Sequence, residues 1–215
     1  MAGTLYLIPT SLGNDDLAWS LPVAVQQRIA ELKTFVVEHP KTARKFLKQV
    51  GIRTPIQMIN MLELNEHTRA EEYASLLAPL LVNQDVGLVS EAGCPAIADP
   101  GAELIRLAHK NKIKVVPLVG PSSILLALMS SGLNGQCFAF QGYLPVKQDA
   151  RHKKISQLEQ QSILQNQTQI FIETPYRNQK LFEQLIMFCR PDTDLCVASY
   201  LTHEREYIAT HSIKE

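Results

Sequence analysis

Short unbroken runs of apolar residues alternate along the chain with longer stretches in which apolar residues recur every three or four positions. The short runs read as strands buried on both faces, and the periodic stretches as helices packed over them. Thr4–Ile8 is the first strand, followed by a loop at Pro9–Asp16 that carries Gly13 and Asn14. Val23, Val25, Ile29 and Leu32 give Pro22–Lys33 helical spacing, and Thr34–Glu38 is the second strand. A helix near Thr42–Val50, a strand near Gln57–Leu64 and a helix over about Ala70–Leu81 come next. Asp85–Ser90 is the fourth strand, Pro100–Lys110 a helix with proline in its first turn, and Lys112–Val116 the fifth strand.

The second half repeats the theme. It reads as a helix at Ser123–Ser131, a strand at Gln136–Gln141 and a polar helix over about Asp149–Ser162. A strand at Thr168–Ile172, a helix at Tyr176–Cys189 and a strand at Leu195–Leu201 follow. Glu206–His211 starts one more strand for which the pattern offers no partner, as though the second half were cut short at its C-terminal strand. The alternation predicts an α/β fold of two α/β domains. Residues 1–117 form the first, a mostly parallel sheet with helices on both faces, and residues 118–215 the second, a mixed sheet with helices. Pro117–Ser123 marks the junction.

Composition narrows the function classes. With 215 residues, 46 % of them apolar and 20 % charged, the chain is ordinary globular material. Twenty-one basic residues balance 21 acidic ones, which excludes a protein that coats nucleic acid by bulk charge. No uncharged apolar run reaches the roughly 18 residues of a membrane-spanning helix, and the first residues lack the pattern of a secretory signal. Cys94, Cys137, Cys189 and Cys196 form no CxxC pair and the six histidines no HxxxH, so neither a disulfide framework nor a metal site is expected. Scattered thiols suit a reducing, cytoplasmic setting.

The charge balance is uneven along the chain. Lys41, Arg44, Lys45, Lys48 and Arg53 occur with no acid between them, and Lys41, Lys45 and Lys48 fall on one helical face. Such a face suits RNA phosphates, and equally a solvated surface. Lys147–Lys154 is a second basic segment, interrupted only by Asp149.

Five motifs stand where strands end. Ser90–Gly101 (SEAGCPAIADPG) packs two glycines, two prolines and three alanines into twelve residues, so its backbone is open to a ligand. The competing reading is a tight connector in which Asp99 caps the next helix. In Pro117–Gly132, Ser122 and Ser123 open a helix after Gly120-Pro121, to hold a polar group or merely to cap. Pro9–Asn14 contains neither GxGxxG nor GxxxxGK[ST], which disfavours a dinucleotide or triphosphate enzyme. In Ile170–Asn178, Glu173 faces Arg177 at helical spacing, and Tyr176 is expected in the core rather than on a ligand. Gly142–Pro145 alone would be a plain turn. Together these strand-exit motifs, in both halves of the chain, fit a ligand held by two α/β domains.

LYLIPTSLGN, LVSEAGCPAIADPG, VVPLVGPSS, FAFQGYLP and IFIETPYR occur in that order and cover nearly the whole chain. In this the sequence resembles the tetrapyrrole methylase family of S-adenosylmethionine-dependent methyltransferases, and within it the branch of 16S ribosomal RNA ribose 2′-O-methyltransferases. It departs from that branch in Glu91, where an aspartate is usual, and in VVEHPKTAR, where an AEDTR-like run is usual. The resemblance implies a two-domain homodimer with S-adenosylmethionine in the cleft between domains. It implies cofactor contacts at Pro9, at Ser90, Ala92, Gly93, Cys94, Ile97 and Ala98, and at Ser122 and Ser123. Leu144 and Thr174 would close over the adenosine.

Methyl transfer to a hydroxyl needs alignment and a proton acceptor. Glu91, Asp99, Glu38 and Glu173 are the candidates; Glu38 also reads as a solvated strand end, Asp99 as a cap and Glu173 as the partner of Arg177, and Glu91, within the central loop, is favoured. Three functions follow. The first is an RNA methyltransferase contacting rRNA or a ribosomal subunit through the basic helix. The second is a methylase of a tetrapyrrole-like or other small metabolite, and the third a cofactor-binding dimeric module without catalysis.

Overall fold

The structure is a computed structural model that describes residues 2–13 and 16–215; Asn14, named above as a loop residue, lies outside them. The chain divides into two compact units, residues 1–122 and 123–215. The first unit runs β1 (Thr4–Ile8), α1 (Leu17–Ser20), α2 (Val23–Glu31), β2 (Thr34–Val37), α3 (Pro40–Val50), β3 (Asn60–Glu63), α4 (Tyr73–Leu81), β4 (Val86–Val89), α5 (Ala102–Lys110) and β5 (Lys114–Pro117). Its five strands are all parallel, in the order β3-β2-β4-β1-β5.

Period-two alternation explains why these strands lie in the middle. Phe35 and Val37 of β2 pack on one face with Ile29 and Leu47, while Val36 packs on the other with Leu80 and Leu104. All four residues of β2 and of β4 are buried, as a parallel strand covered on both sides requires. α3 places Ala43, Phe46, Leu47 and Val50 against the sheet and turns its cationic residues outward. Gly51, in the left-handed region at φ 79°, ends it. The short α1, capped by Asp16, has too few residues to show a period and was not expected.

The order of the strands sets where a ligand can approach. From β1 the chain crosses to β2 on one side, and from β4 it crosses to β5 on the other, so the exits of neighbouring β1 and β4 diverge. That divergence opens a crevice at the carboxyl ends of the strands.

The second unit runs α6 (Ser123–Ser131), β6 (Phe138–Tyr143), α7 (Gln148–Gln165), β7 (Thr168–Ile172), α8 (Pro175–Phe188), β8 (Asp194–Ser199) and β9 (Tyr207–Ser212). Parallel β6-β7 and antiparallel β8-β9 are separate two-stranded sheets. The last strand therefore does find a partner, since β9 pairs with β8 over six residues. Leu144, Ile155, Leu158, Leu181 and Leu185 form the core of this unit. Between β7 and β8 lies a trough of about 730 Å³ lined by residues such as Ile124, Leu128, Ile170 and Leu195.

Gly120 holds the β5 exit against the β1 exit. A Cβ built there would stand 2.5 and 2.7 Å from ring atoms of Pro9 and 3.0 Å from Leu21. Gly120→Ala is expected to destabilise the chain by about 1–3 kcal/mol, as overpacking does. Gly135→Ala, whose Cβ meets nothing within 4 Å, serves as the control. Urea unfolding of the two variants checks this; equal midpoints would show that the two exits do not touch as described.

Candidate functional site

The exits of β1, β4 and β5 carry most of the residues singled out in the sequence. Pro9 and Thr10 follow β1, Ser90–Gly101 follows β4, and Leu118–Ser122 follows β5. Thr10 and Gly93 pair as an isolated antiparallel bridge, with N–H···O distances of 3.0 and 3.2 Å. Ser90 fastens this bridge from below. Its hydroxyl donates to the Gly93 carbonyl, which leaves Thr10 Oγ1, at 3.3 Å, to donate to Ser90 Oγ. Ser90 and Thr10 are both buried. Thr10 was not singled out in the sequence, although its place just after the first strand was a usable signal.

The rest of the turn is held in an uncommon conformation. Gly93, Ala96, Ala98 and Gly101 all have positive φ, at 72°, 62°, 59° and 135°. Glycine accepts this region freely, whereas alanine does so at a cost, and strained backbone of this kind concentrates at functional sites. The consequence is chemical. The amides of Ala92, Cys94, Ala96, Ile97 and Ala98 make no backbone hydrogen bond among the described residues. Ala92, Ile97 and Ala98 are exposed. Cys94 turns its thiol to the Pro121 carbonyl at 3.4 Å, tying the turn to the residue before Ser122, and burial pushes that thiol's pKa up.

Asp99 does not cap α5. The N-cap is Gly101, without a side-chain hydrogen bond, because the left-handed turn shifts the helix start two residues past the aspartate. The carboxylate of Asp99 is free of that task, and its Oδ2 is buried without a hydrogen-bond partner among the described residues. Burial, with the nearby charges of Glu38 and Glu91 adding to it, pushes its pKa up to about 6.

Glu91 is placed differently. Its Oε1 accepts from Thr42 Oγ1 at 2.7 Å and lies 3.7 Å from His39 Nδ1, so the first turn of α3 holds it. Neither Thr42 nor His39 was foreseen, since sequence gives no sign of a contact across 49 residues. Lys41, Arg44, Lys45 and Lys48 are exposed along the same helix. Arg53 lies beyond its end, 3.6 Å from Glu31. Glu91 thus stands at the start of the helix that carries these cations. Among the described residues no cluster of histidine, cysteine or acid could hold a metal, and no helix is long and apolar enough to cross a membrane.

In the second unit Ser123 is the first residue of α6. Leu144 is 2 % exposed, its side chain committed to the core, so only its backbone is on offer to a ligand. Thr174 is the N-cap residue of α8. Glu173 accepts from Arg177 Nε at 2.7 Å, as the spacing predicts. Tyr176 corrects the expectation of a core residue. It is 83 % exposed, because the buried face of α8 runs through Leu181, Gln184 and Leu185 and, one turn earlier, through Arg177, which leaves Tyr176 off that face. Of the site residues singled out in the sequence, Ser123, Leu144 and Glu173 border the trough of the second unit.

Known proteins resemble the chain over almost its whole length. The family model for tetrapyrrole (corrin/porphyrin) methylases matches residues 4–215. A protein of Synechocystis sp. named ribosomal RNA small subunit methyltransferase I is 34 % identical over 204 residues, which are 95 % of this chain and 69 % of that protein. One of the same name from Vibrio cholerae is 32 % identical over 96 % of this chain and 68 % of its own length. The chain thus spans about two thirds of these relatives. The crystal structure of the methyltransferase CobJ superposes with a TM-score of 0.65, covering 100 % of this chain and 88 % of that one at 15 % identity, a likeness of fold. With a match from the first strand to the last residue, the chain belongs to the tetrapyrrole (corrin/porphyrin) methylase family.

Proposed function

We propose that the chain is an S-adenosylmethionine-dependent methyltransferase of small-subunit ribosomal RNA, acting in the cytoplasm as a homodimer. The observation that carries this reading is the β4 exit turn, with uncommitted amides, small side chains, the raised pKa of Asp99 and Glu91 held by the first turn of a cationic helix. The names of the relatives support the choice of RNA over a small metabolite.

The turn fits the cofactor's chemistry. A methionine carboxylate and ribose hydroxyls need donors and close backbone approach, which Ser90, Ala92, Gly93, Cys94, Ile97 and Ala98 supply beside Pro9. Ser122, Ser123, Leu144 and Thr174 complete the proposed set. When bound, the cofactor supplies a methyl group made electrophilic by its sulfonium. The residues of the chain have to orient the acceptor hydroxyl and take its proton.

Of the two carboxylates in the turn, Asp99 is the better proton acceptor. Its pKa of about 6 leaves it ionised yet basic at neutral pH, and it has an unpaired oxygen. Glu91, held by Thr42, adds to the field that keeps Asp99 basic. The exposed cations of α3 bind the phosphates that bring the hydroxyl there.

Two experiments test this. Labelled methyl from S-adenosylmethionine is offered to 30S subunits, total RNA, protein and a small-molecule extract. Label is expected in small-subunit rRNA, falling as salt is raised; label only in small molecules would favour a metabolite methylase, and none anywhere a non-catalytic module. The second uses pH. Ionised Asp99 costs stability above pH 6, because its folded pKa lies above the ordinary carboxylate value, and the cost fades as pH falls from about 6 towards 4. Asp99→Asn is therefore expected to raise the urea midpoint at pH 7.5, a gain that vanishes near pH 4, while slowing transfer by about 10²–10⁴-fold. Glu91→Gln should instead move the acidic limb of the pH–rate profile downward. An active Asp99→Asn beside an inactive Glu91→Gln would return the role to Glu91.

A further inference from the structure

We infer that Tyr143, Tyr176 and Arg177 form a stacking platform for an unpaired nucleobase of the RNA substrate, an inference that rests on the RNA reading above. The three residues border one shallow hollow of about 370 Å³, completed by Leu144, Pro145, Val146 and Thr174. Both rings stand in water, Tyr143 at 53 % and Tyr176 at 83 % exposure. The guanidinium carbon of Arg177 lies 5.8 Å from the Tyr143 ring centre and 6.0 Å from that of Tyr176, so one cation neighbours two rings.

Backbone and charge both hold this arrangement in place. The β6–β7 ladder slips between Phe140 and Tyr143, with Gly142 in the left-handed region at φ 65°, and a bulge of this kind re-aims the side chain that follows it. Pro175 begins α8, so Tyr176 and Arg177 stand in its first turn. Glu173, its side chain only 6 % exposed, takes the Arg177 Nε hydrogen bond at 2.7 Å and that of the Thr174 amide at 2.8 Å on one oxygen.

The chemistry of the hollow selects among ligands. A phosphate needs uncompensated positive charge, and Glu173 already neutralises Arg177. Leu144 and Thr174, which belong to the cofactor set proposed above, are buried and half-buried, whereas both rings are more than half in water, more than a pocket that encloses a small cofactor leaves exposed. Flat, rigid, nearly neutral faces open to a large partner suit a base splayed out of a single strand.

The test uses an RNA oligonucleotide carrying 2-aminopurine, together with transfer kinetics on 30S subunits and calorimetry with S-adenosylmethionine alone. The unaltered chain and Tyr176→Phe are expected to quench 2-aminopurine. Tyr176→Ala and Tyr143→Ala are expected to lose the quenching and to raise KM for subunits about tenfold or more, with cofactor affinity unchanged. If Tyr176→Ala quenches normally and keeps its KM within twofold, the platform is wrong. If cofactor affinity falls in step with KM, the ring belongs to the cofactor and the inference is overturned. Absence of transfer to RNA by the unaltered chain overturns the RNA reading itself, and the platform with it.

Discussion

The buried hydroxyl of Ser90, bonded at once to the Gly93 carbonyl and to Thr10, is the contact on which the arrangement of the first unit's strand exits depends. The turn it fastens places two alanines in the left-handed region, a conformation that costs an L-residue roughly 1–2 kcal/mol. Something must oppose that cost. The Thr10–Gly93 bridge and the hydroxyl pair beneath it do so from neighbouring strands of a rigid parallel sheet. Released from the bridge, the segment would be free to relax into an ordinary connector, with Asp99 as helix cap and its amides spent on local turns.

Function and stability pull against each other in this turn. Among the described residues the amides of Ala92, Cys94, Ala96, Ile97 and Ala98 make no backbone hydrogen bond, Asp99 keeps a buried oxygen without a partner, and three acids stand near one another. Each of these weakens the fold, and each suits the polar ligand and the proton of the function proposed for the turn. The sheet beneath can bear it because β2 and β4 are buried on both faces.

Most of the first unit was legible in the sequence because a parallel strand buried on both faces leaves an unbroken apolar signature such as TFVV or VGLV. The strand-exit motifs were legible for the same reason, since they begin where those runs end. Contacts between distant segments were not legible. Thr42 on Glu91, Thr10 on Ser90 and the pairing of β9 with β8 arise only when the chain folds. Asp99-Pro100 has the local pattern of a helix start, and only the left-handed turn before Gly101 cancels it. Tyr176 directly precedes the position at which the buried stripe of α8 begins, and its exposure follows from where the helix starts, which depends on Pro175 and Thr174 rather than on the ring's own apolar character.

The claim that a preorganised β4 turn receives the cofactor is tested most directly by calorimetry of S-adenosylmethionine binding to Ser90→Ala. Removing the hydroxyl leaves the Gly93 carbonyl and Thr10 without their shared partner, at a cost of about 1–3 kcal/mol to the turn's geometry. Cofactor affinity is predicted to fall about tenfold or more while urea unfolding stays cooperative. Unchanged affinity in a folded Ser90→Ala would contradict the account.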